Sequence, residues 1–244
     1  MARPGGQGQT CGKRGACLIR AVLFDFYDTL VYVDEAPYRV AREQMAARLG
    51  LSVQELAQRM RSYRDERMLG LIGSTEDQMR RLLRDLNRPA DEDLVAELAR
   101  MERQGLIGSA HPYPSAFRTL RRLRQQGYLL GLVSNASQTG EEVMVHFGFR
   151  AYFDAFVVSH AVGLLKPDPA IFLRACTDLN VEPNECAFVA DGGFNELDAA
   201  HSLGMLAIKI VQPLQSSDYG SSAFFDYEIH DLSDLIGLLG EHSG

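Results

Sequence analysis

Four polar positions, far apart in the chain, each come at or after the end of an apolar run with the composition of a buried strand. The run at 18–24 ends in Asp25, with Asp28 and Thr29 close behind, and the run at 128–133 ends in Ser134-Asn135. A third run, at 155–158, is followed by Gly163-Leu164-Leu165-Lys166-Pro167. The fourth, at 186–190, ends in Asp191-Gly192-Gly193, with Glu196 beyond. Open α/β sheets gather their chemistry at the carboxyl ends of parallel strands. A carboxylate at such a lip can act as a nucleophile and carry a covalent intermediate. Each segment alone has an ordinary explanation. Asp25 can cap the next turn, Ser134-Asn135 and Asp191-Gly192-Gly193 can be turn chemistry, and Lys166 can be a solvated cation. Asp, Ser, Lys and Asp in that order, each closing a strand, are improbable as coincidence.

The elements that must position these residues fall into two regimes. Asp34-Glu35-Ala36-Pro37 opens a helix, with acids and proline where free amides and the helix dipole favour them. Tyr38, Ala41, Met45 and Leu49 keep helical spacing until Gly50. Ser52 with Glu55, and Thr75 with Gln78, form capping boxes for two further helices, and Asp91 caps a fourth. Four helical patterns with no strand between them predict a helical lid; the alternative is that they are layers of the same domain. From Tyr113 onward, strands and helices alternate. Helices are predicted at 114–126, 140–147, 168–179 and 194–203, and strands at 128–133, 155–158, 186–190 and 205–211. A short pair at 227–229 and 231–239 follows. Repeated β-α units predict a doubly wound parallel sheet.

At 244 residues the chain can bury one substantial core plus an insertion. With 46% hydrophobic and 23% charged residues, its composition is that of a soluble globular protein. A net charge of −7 argues against general nucleic-acid binding, which needs a concentrated positive surface. Lysines stand only at 13, 166 and 209, so an isolated ammonium at Lys166 is conspicuous. Residues 1–17 are polar and Gly-rich and predict a flexible leader without a signal-peptide core. No apolar run approaches the ~18 residues needed to span a bilayer. The cysteines Cys11, Cys17, Cys176 and Cys186 lack the spacing of a zinc site. A reducing, cytoplasmic setting is the expectation.

The segments closing at Asp25-Phe26-Tyr27-Asp28-Thr29, Ser134, Lys166 and Asp191 with Glu196 resemble the four motifs of the haloacid dehalogenase superfamily of hydrolases. The resemblance spans residues 18–211, and the stretch from Asp191 to Met205 is its most specific part. It implies a Rossmann-like, doubly wound α/β core at 18–33 and 110–244 with an all-helical cap of the family's first type at 34–109. It also implies an aspartyl-phosphate on Asp25, with Ser134 hydrogen-bonding a phosphoryl oxygen and Lys166 offsetting negative charge. Mg²⁺ would be held by Asp25, Asp191 and the Tyr27 carbonyl. Glu196 would bind the ion through water or orient Lys166. Thr29, Asn135 and, from the cap, Arg64 are the expected contacts to a small anionic substrate; as a solvated helix arginine, Arg64 has a plain alternative reading.

The chain departs from the family's first motif, Asp-x-Asp-Gly-Thr, at Tyr27 and at Asp28, which stands at the usual glycine position. Phosphatases of the family place an aspartate two residues after the nucleophile as leaving-group acid. The dehalogenase branch, which hydrolyses 2-haloacids through an alkyl ester, places a tyrosine there, and this chain has Tyr27. Asp191 pulls the other way, because the metal-free dehalogenases carry a serine at that point. An extra carboxylate beside Asp25 without a cation would push one of the two toward neutrality. The balance favours a Mg²⁺-dependent phosphatase that is slow, restricted to good leaving groups, or assisted by a cap residue. A haloacid dehalogenase and a catalytically silent ligand-binding relative are the alternatives.

Overall fold

The computed structural model describes residues 3–4, 18–214 and 222–240. After the short β1 (Arg3–Pro4) comes β2 (Ala21–Phe24), apolar throughout and fully buried. β3 (Val31–Val33) leads into five successive helices: α1 (Glu35–Arg48), α2 (Val53–Ser62), α3 (Arg64–Met68), α4 (Thr75–Asp85) and α5 (Glu92–Ser109). β4 (Ala110–Pro112) brings the chain back, followed by α6 (Ala116–Gln125), β5 (Leu129–Ser134), α7 (Gln138–His146) and β6 (Ala155–Val158). Then come α8 (Ser159–Val162), α9 (Pro169–Leu179), β7 (Cys186–Ala190), α10 (Glu196–Ser202), β8 (Leu206–Ile210), β9 (Tyr227–Ile229) and α11 (Asp234–Gly240).

The main sheet runs in the order β1-β9-β8-β7-β2-β5-β6. All neighbours from β9 to β6 are parallel, and only β1 is antiparallel, on β9. Because β2 lies in the middle, the chain builds outward from it on both sides, which is the doubly wound arrangement. Phe24 pairs with Leu132 and with Val189, so Asp25, Ser134 and Asp191 all emerge within two residues of one level.

Alternation along β2 sends Val22 and Phe24 into one apolar layer, with Leu120, Leu132 and Phe149. Ala21 and Leu23 enter the other, with Phe172, Phe188 and Leu197. With both faces covered, the strands read as continuous apolar runs, which is why they were legible. The inserted helices bury a third, separate cluster around Met45, Leu56, Met60, Leu82, Val95 and Leu98. Gly105 on α5 lets α1 approach closely: a Cβ there would lie 2.6 Å from that of Ala41.

Several expectations are revised. The box that caps α4 is Ser74 with Asp77, not Thr75 with Gln78. Thr75 and Gln78 are instead fully buried. The two chain crossings into and out of the helical insertion are zipped as an antiparallel β3–β4 ladder, which the pattern did not reveal. Most of the proposed leader at 1–17 lies outside the described residues; Arg3–Pro4 pairs with Tyr227 and Glu228, a partner that a purely flexible leader does not provide for. Cys176 and Cys186 are buried, as their apolar surroundings suggest. Among the described residues no helix is long and apolar enough to cross a membrane.

Candidate active site

Asp25 is the first residue beyond β2, with its amide donating to the Val189 carbonyl at 3.0 Å and its side chain nearly buried. Lys166, reached through the turn after α8, donates from Nζ to Asp25 Oδ1 at 2.5 Å and lies 2.5 Å from Glu196 Oε2. The lysine is only 4% exposed, so the two carboxylates replace water around its ammonium. Its main chain is clasped by Asn135, whose Oδ1 accepts from the Lys166 amide at 2.8 Å and whose Nδ2 donates to the Lys166 carbonyl at 2.9 Å. Asn135 lines the cavity, but both ends of its amide are engaged by the lysine's backbone, and in this geometry it positions Lys166. Ser134 is 1% exposed and its hydroxyl has no hydrogen-bond partner among the described residues. A buried hydroxyl left unpaired costs stability unless something binds it, and Ser134 lines the cavity, which makes it a candidate ligand contact.

Asp191, half-buried after β7, completes the acidic group. One oxygen from each of Asp25, Asp191 and Glu196 lies within 4.8 Å of the others. Burial pushes the Asp25 carboxyl up from the usual aspartate range; Lys166 opposes this and the Asp191 charge adds to it. Burial also pushes Glu196 well up, again against Lys166 and reinforced by Asp25 and Asp191. Burial works against the Lys166 charge too, yet Asp25 and Glu196 outweigh it and hold the ammonium protonated. Three carboxyl groups thus face one ammonium, more acid than that cation balances, and a divalent cation would offset the excess. Hard oxygen ligands of this kind suit such an ion.

The turn after β7 is set by Gly192 at φ +95° and by Phe194 and Asn195, both at positive φ. For a bulky residue such as Phe194 this conformation is strained and needs support from its surroundings. The Arg64 guanidinium of the helical insertion lies 4.6 Å from the Phe194 ring centroid, in cation–π range, and both residues line the cavity. The cavity has a volume of about 350 Å³ and is walled by strand-end residues on one side and by α1, α3 and α5 on the other.

Two expected residues are placed differently. The Tyr27 hydroxyl donates to the Gly140 carbonyl at 3.3 Å, and burial pushes its pKa up. It borders the cavity as a neutral phenol whose proton is already engaged. Thr29 is fully buried and does not line the cavity, and its carbonyl accepts from Gln212 Nε2 at 3.3 Å. The substrate contact expected of it has no surface to act through.

The lining residues that the sequence did not single out include Phe194 and Ser137 from the core and four polar residues from the insertion. Tyr38, Arg42, Arg67 and Glu102 line the cavity, with Glu102 on α5 paired to Arg42 Nη2 at 2.8 Å. A signal existed. Glu102 continues the apolar stripe Val95-Leu98-Ala99, and Arg42 stands between Tyr38 and Met45 on the inner face of α1. A charge on a buried stripe calls for a partner or a ligand.

A wound α/β core with polar strand ends under an inserted helical cap defines a class of hydrolases that act at the sheet's carboxyl edge. The model of the haloacid dehalogenase-like hydrolase family matches residues 19–204, and the chain belongs to that family. It is 28% identical over 92% of its length to a glyceraldehyde 3-phosphate phosphatase from Methanopyrus kandleri, covering 98% of that protein. It is 29% identical over 92% of its length to (S)-2-haloacid dehalogenase 4A from Burkholderia cepacia, covering 96% of it. Among solved structures it is similar to a HAD phosphatase from Thermococcus onnurineus, with TM-score 0.64, 28% identity, and coverage of 91% of this chain and 98% of that one. The chain is a hydrolase.

Proposed function

We propose that this hydrolase is a Mg²⁺-dependent phosphatase of small anionic phosphate esters, with Asp25 as the nucleophile. The observation that carries the reading is the excess of carboxylate over ammonium around Asp25. Asp191 and Glu196 beside the nucleophile are a burden in a cation-free site and a benefit in one that binds a divalent cation. The residues fit Mg²⁺: Asp25 and Asp191 would hold it with the Tyr27 carbonyl, and Glu196, tied to Lys166, orients that lysine. The bound ion would supply electrophilic stabilisation of the phosphoryl oxygens.

The chain's own residues do the rest. Asp25 attacks phosphorus in line, forming the carboxylate–phosphorus bond as the bond to the leaving oxygen breaks. Ser134 offers its unpartnered hydroxyl to a phosphoryl oxygen, and Lys166 offsets the charge that accumulates between Asp25 and the phosphoryl group. Water then releases phosphate and restores Asp25. The segment 34–109 acts as a cap over the core at 18–33 and 110–244, excluding water and selecting substrate through Arg64 and its neighbours. Tyr27 cannot lend its engaged proton to the leaving group, so esters of acidic alcohols or phenols react best.

The name of the Methanopyrus kandleri relative supports this reading, and the −7 net charge agrees with a small-molecule substrate rather than nucleic acid. Tyr27 and the Burkholderia cepacia relative favour a second reading, hydrolysis of a 2-haloacid through an ester on Asp25. A parallel assay separates the two. The first requires phosphate release from an aryl phosphate that chelation and Asp25→Asn both stop. Chloride release from 2-chloropropionate that survives the chelator would replace it with the second.

A further inference from the structure

The part of the cavity contributed by the helical insertion holds a buried polar cluster that the chemistry at Asp25 does not use. Glu102 is 3% exposed. Its Oε1 accepts from Arg42 Nη2 at 2.8 Å and from the Tyr38 hydroxyl at 3.4 Å, while Oε2 has no partner among the described residues. Arg42 also donates from Nη2 to the Tyr38 hydroxyl and from Nη1 to Met60 Sδ at 2.5 Å, yet its Nε is buried and has no partner among the described residues. Arg42 and Glu102 both line the cavity that contains Asp25. One ion pair therefore leaves a carboxylate acceptor and a guanidinium donor unfilled together. Leaving either in a dry site costs free energy, so each calls for a partner that enters from outside.

We infer that Glu102 and Arg42 form a specificity subsite that reads a hydroxyl on the organic part of the substrate. A hydroxyl both donates and accepts, so it offers a partner to the carboxylate Oε2 and to the guanidinium Nε–H alike. A second anionic group would face the Glu102 charge, and an ammonium would face Arg42. The substrate class is a hydroxylated alkyl phosphate. The inference rests on reading the Asp25 site as a phosphatase, and it assigns the residues that choose among phosphate esters.

The test compares propyl phosphate with its 2-hydroxy, 3-hydroxy and 3-amino derivatives. Each is measured twice: as kcat/KM with the wild-type enzyme and Mg²⁺, and as binding to Asp25→Asn by calorimetry. At least one hydroxylated ester should be preferred by about 10- to 100-fold in both, the range of a hydrogen bond to a charged group. The ratio should fall to within about twofold in Glu102→Gln and in the double variant Arg42→Met/Glu102→Leu, which removes the pair without stranding one charge. A ratio is read within each variant, so loss of packing does not mimic the result. Equal treatment of all the esters, a preference for the amine, binding of none, or a preference that survives both variants overturns the inference. Aryl phosphate turnover without discrimination would end the inference and leave the phosphatase standing. Hydroxyl-selective binding without any phosphate release would do the reverse.

Discussion

An aspartate in place of Tyr27 would put a proton donor two residues beyond the nucleophile, where the present phenol is tied to the Gly140 carbonyl. General acid catalysis contributes about 10²–10⁴-fold. Tyr27→Asp is therefore expected to raise kcat/KM for alkyl phosphates by about 10-fold or more. Aryl phosphates, whose leaving groups need little help, should gain less. The check is the slope of rate against leaving-group acidity, which should flatten in the variant; an unchanged slope would count against the assignment. Ser134→Ala separates binding from folding. Its hydroxyl has no partner to lose, so the melting temperature should hold or rise while kcat/KM falls by about 10- to 100-fold, as for a hydrogen bond to a charged group. A loss of stability without a loss of rate would make Ser134 a structural residue.

Gly70 and Arg103 make two of the contacts between the helical insertion and the core. Gly70, after α3, has φ +72°, and a Cβ there would come 2.1 Å from the His160 carbonyl oxygen. Gly70→Ala meets both a disfavoured backbone conformation and a backbone clash, and should cost about 1–3 kcal/mol in denaturant unfolding. Arg103 on α5 links Glu76 on α4 to Glu142 on α7, with Nη2 at 2.6 Å and Nε at 2.9 Å from the respective carboxylates. Its hydrogen bonds hold the Glu76 carboxyl below the usual value of 4.5. A carboxyl lowered on folding stabilises the folded state above its unfolded pKa, and that contribution is lost as pH falls through the lowered folded value. The melting temperature of the wild type should therefore drop on acidification below about pH 4.5 more steeply than that of Arg103→Gln. Superimposable profiles would show that the link contributes nothing.

For the molecule as a whole, the proposed role of the acidic group at the sheet edge requires stability to respond to metal. Asp25, Asp191 and Glu196 repel one another around a single lysine, and a cation that binds the folded chain alone relieves this. Saturating Mg²⁺ should raise stability by about 2.7 kcal/mol at a hundredfold excess over its dissociation constant. Asp191→Asn should abolish most of the gain in a thermal-shift titration. A wild type whose melting point ignores Mg²⁺ would remove the metal from the proposal.

The core strands along the chain, and the polar residues that follow them, were legible in the sequence. Buried parallel strands are local: a run such as residues 21–24 is apolar at every position, and the polar residue after it marks the edge of the sheet. The family motifs sharpened that reading into Asp25, Ser134, Lys166 and Asp191. Only the tertiary structure decided what each touches. Lys166 meets Asp25 across 141 positions, Asn135 holds the lysine's backbone, Thr29 turns into the interior, and the Tyr27 hydroxyl finds the Gly140 carbonyl. The pairing of Arg42 with Glu102 depends on how closely α1 approaches α5, which Gly105 permits. Helix periodicity specifies a face, whereas the neighbour across that face is set by the packing of elements distant in the chain.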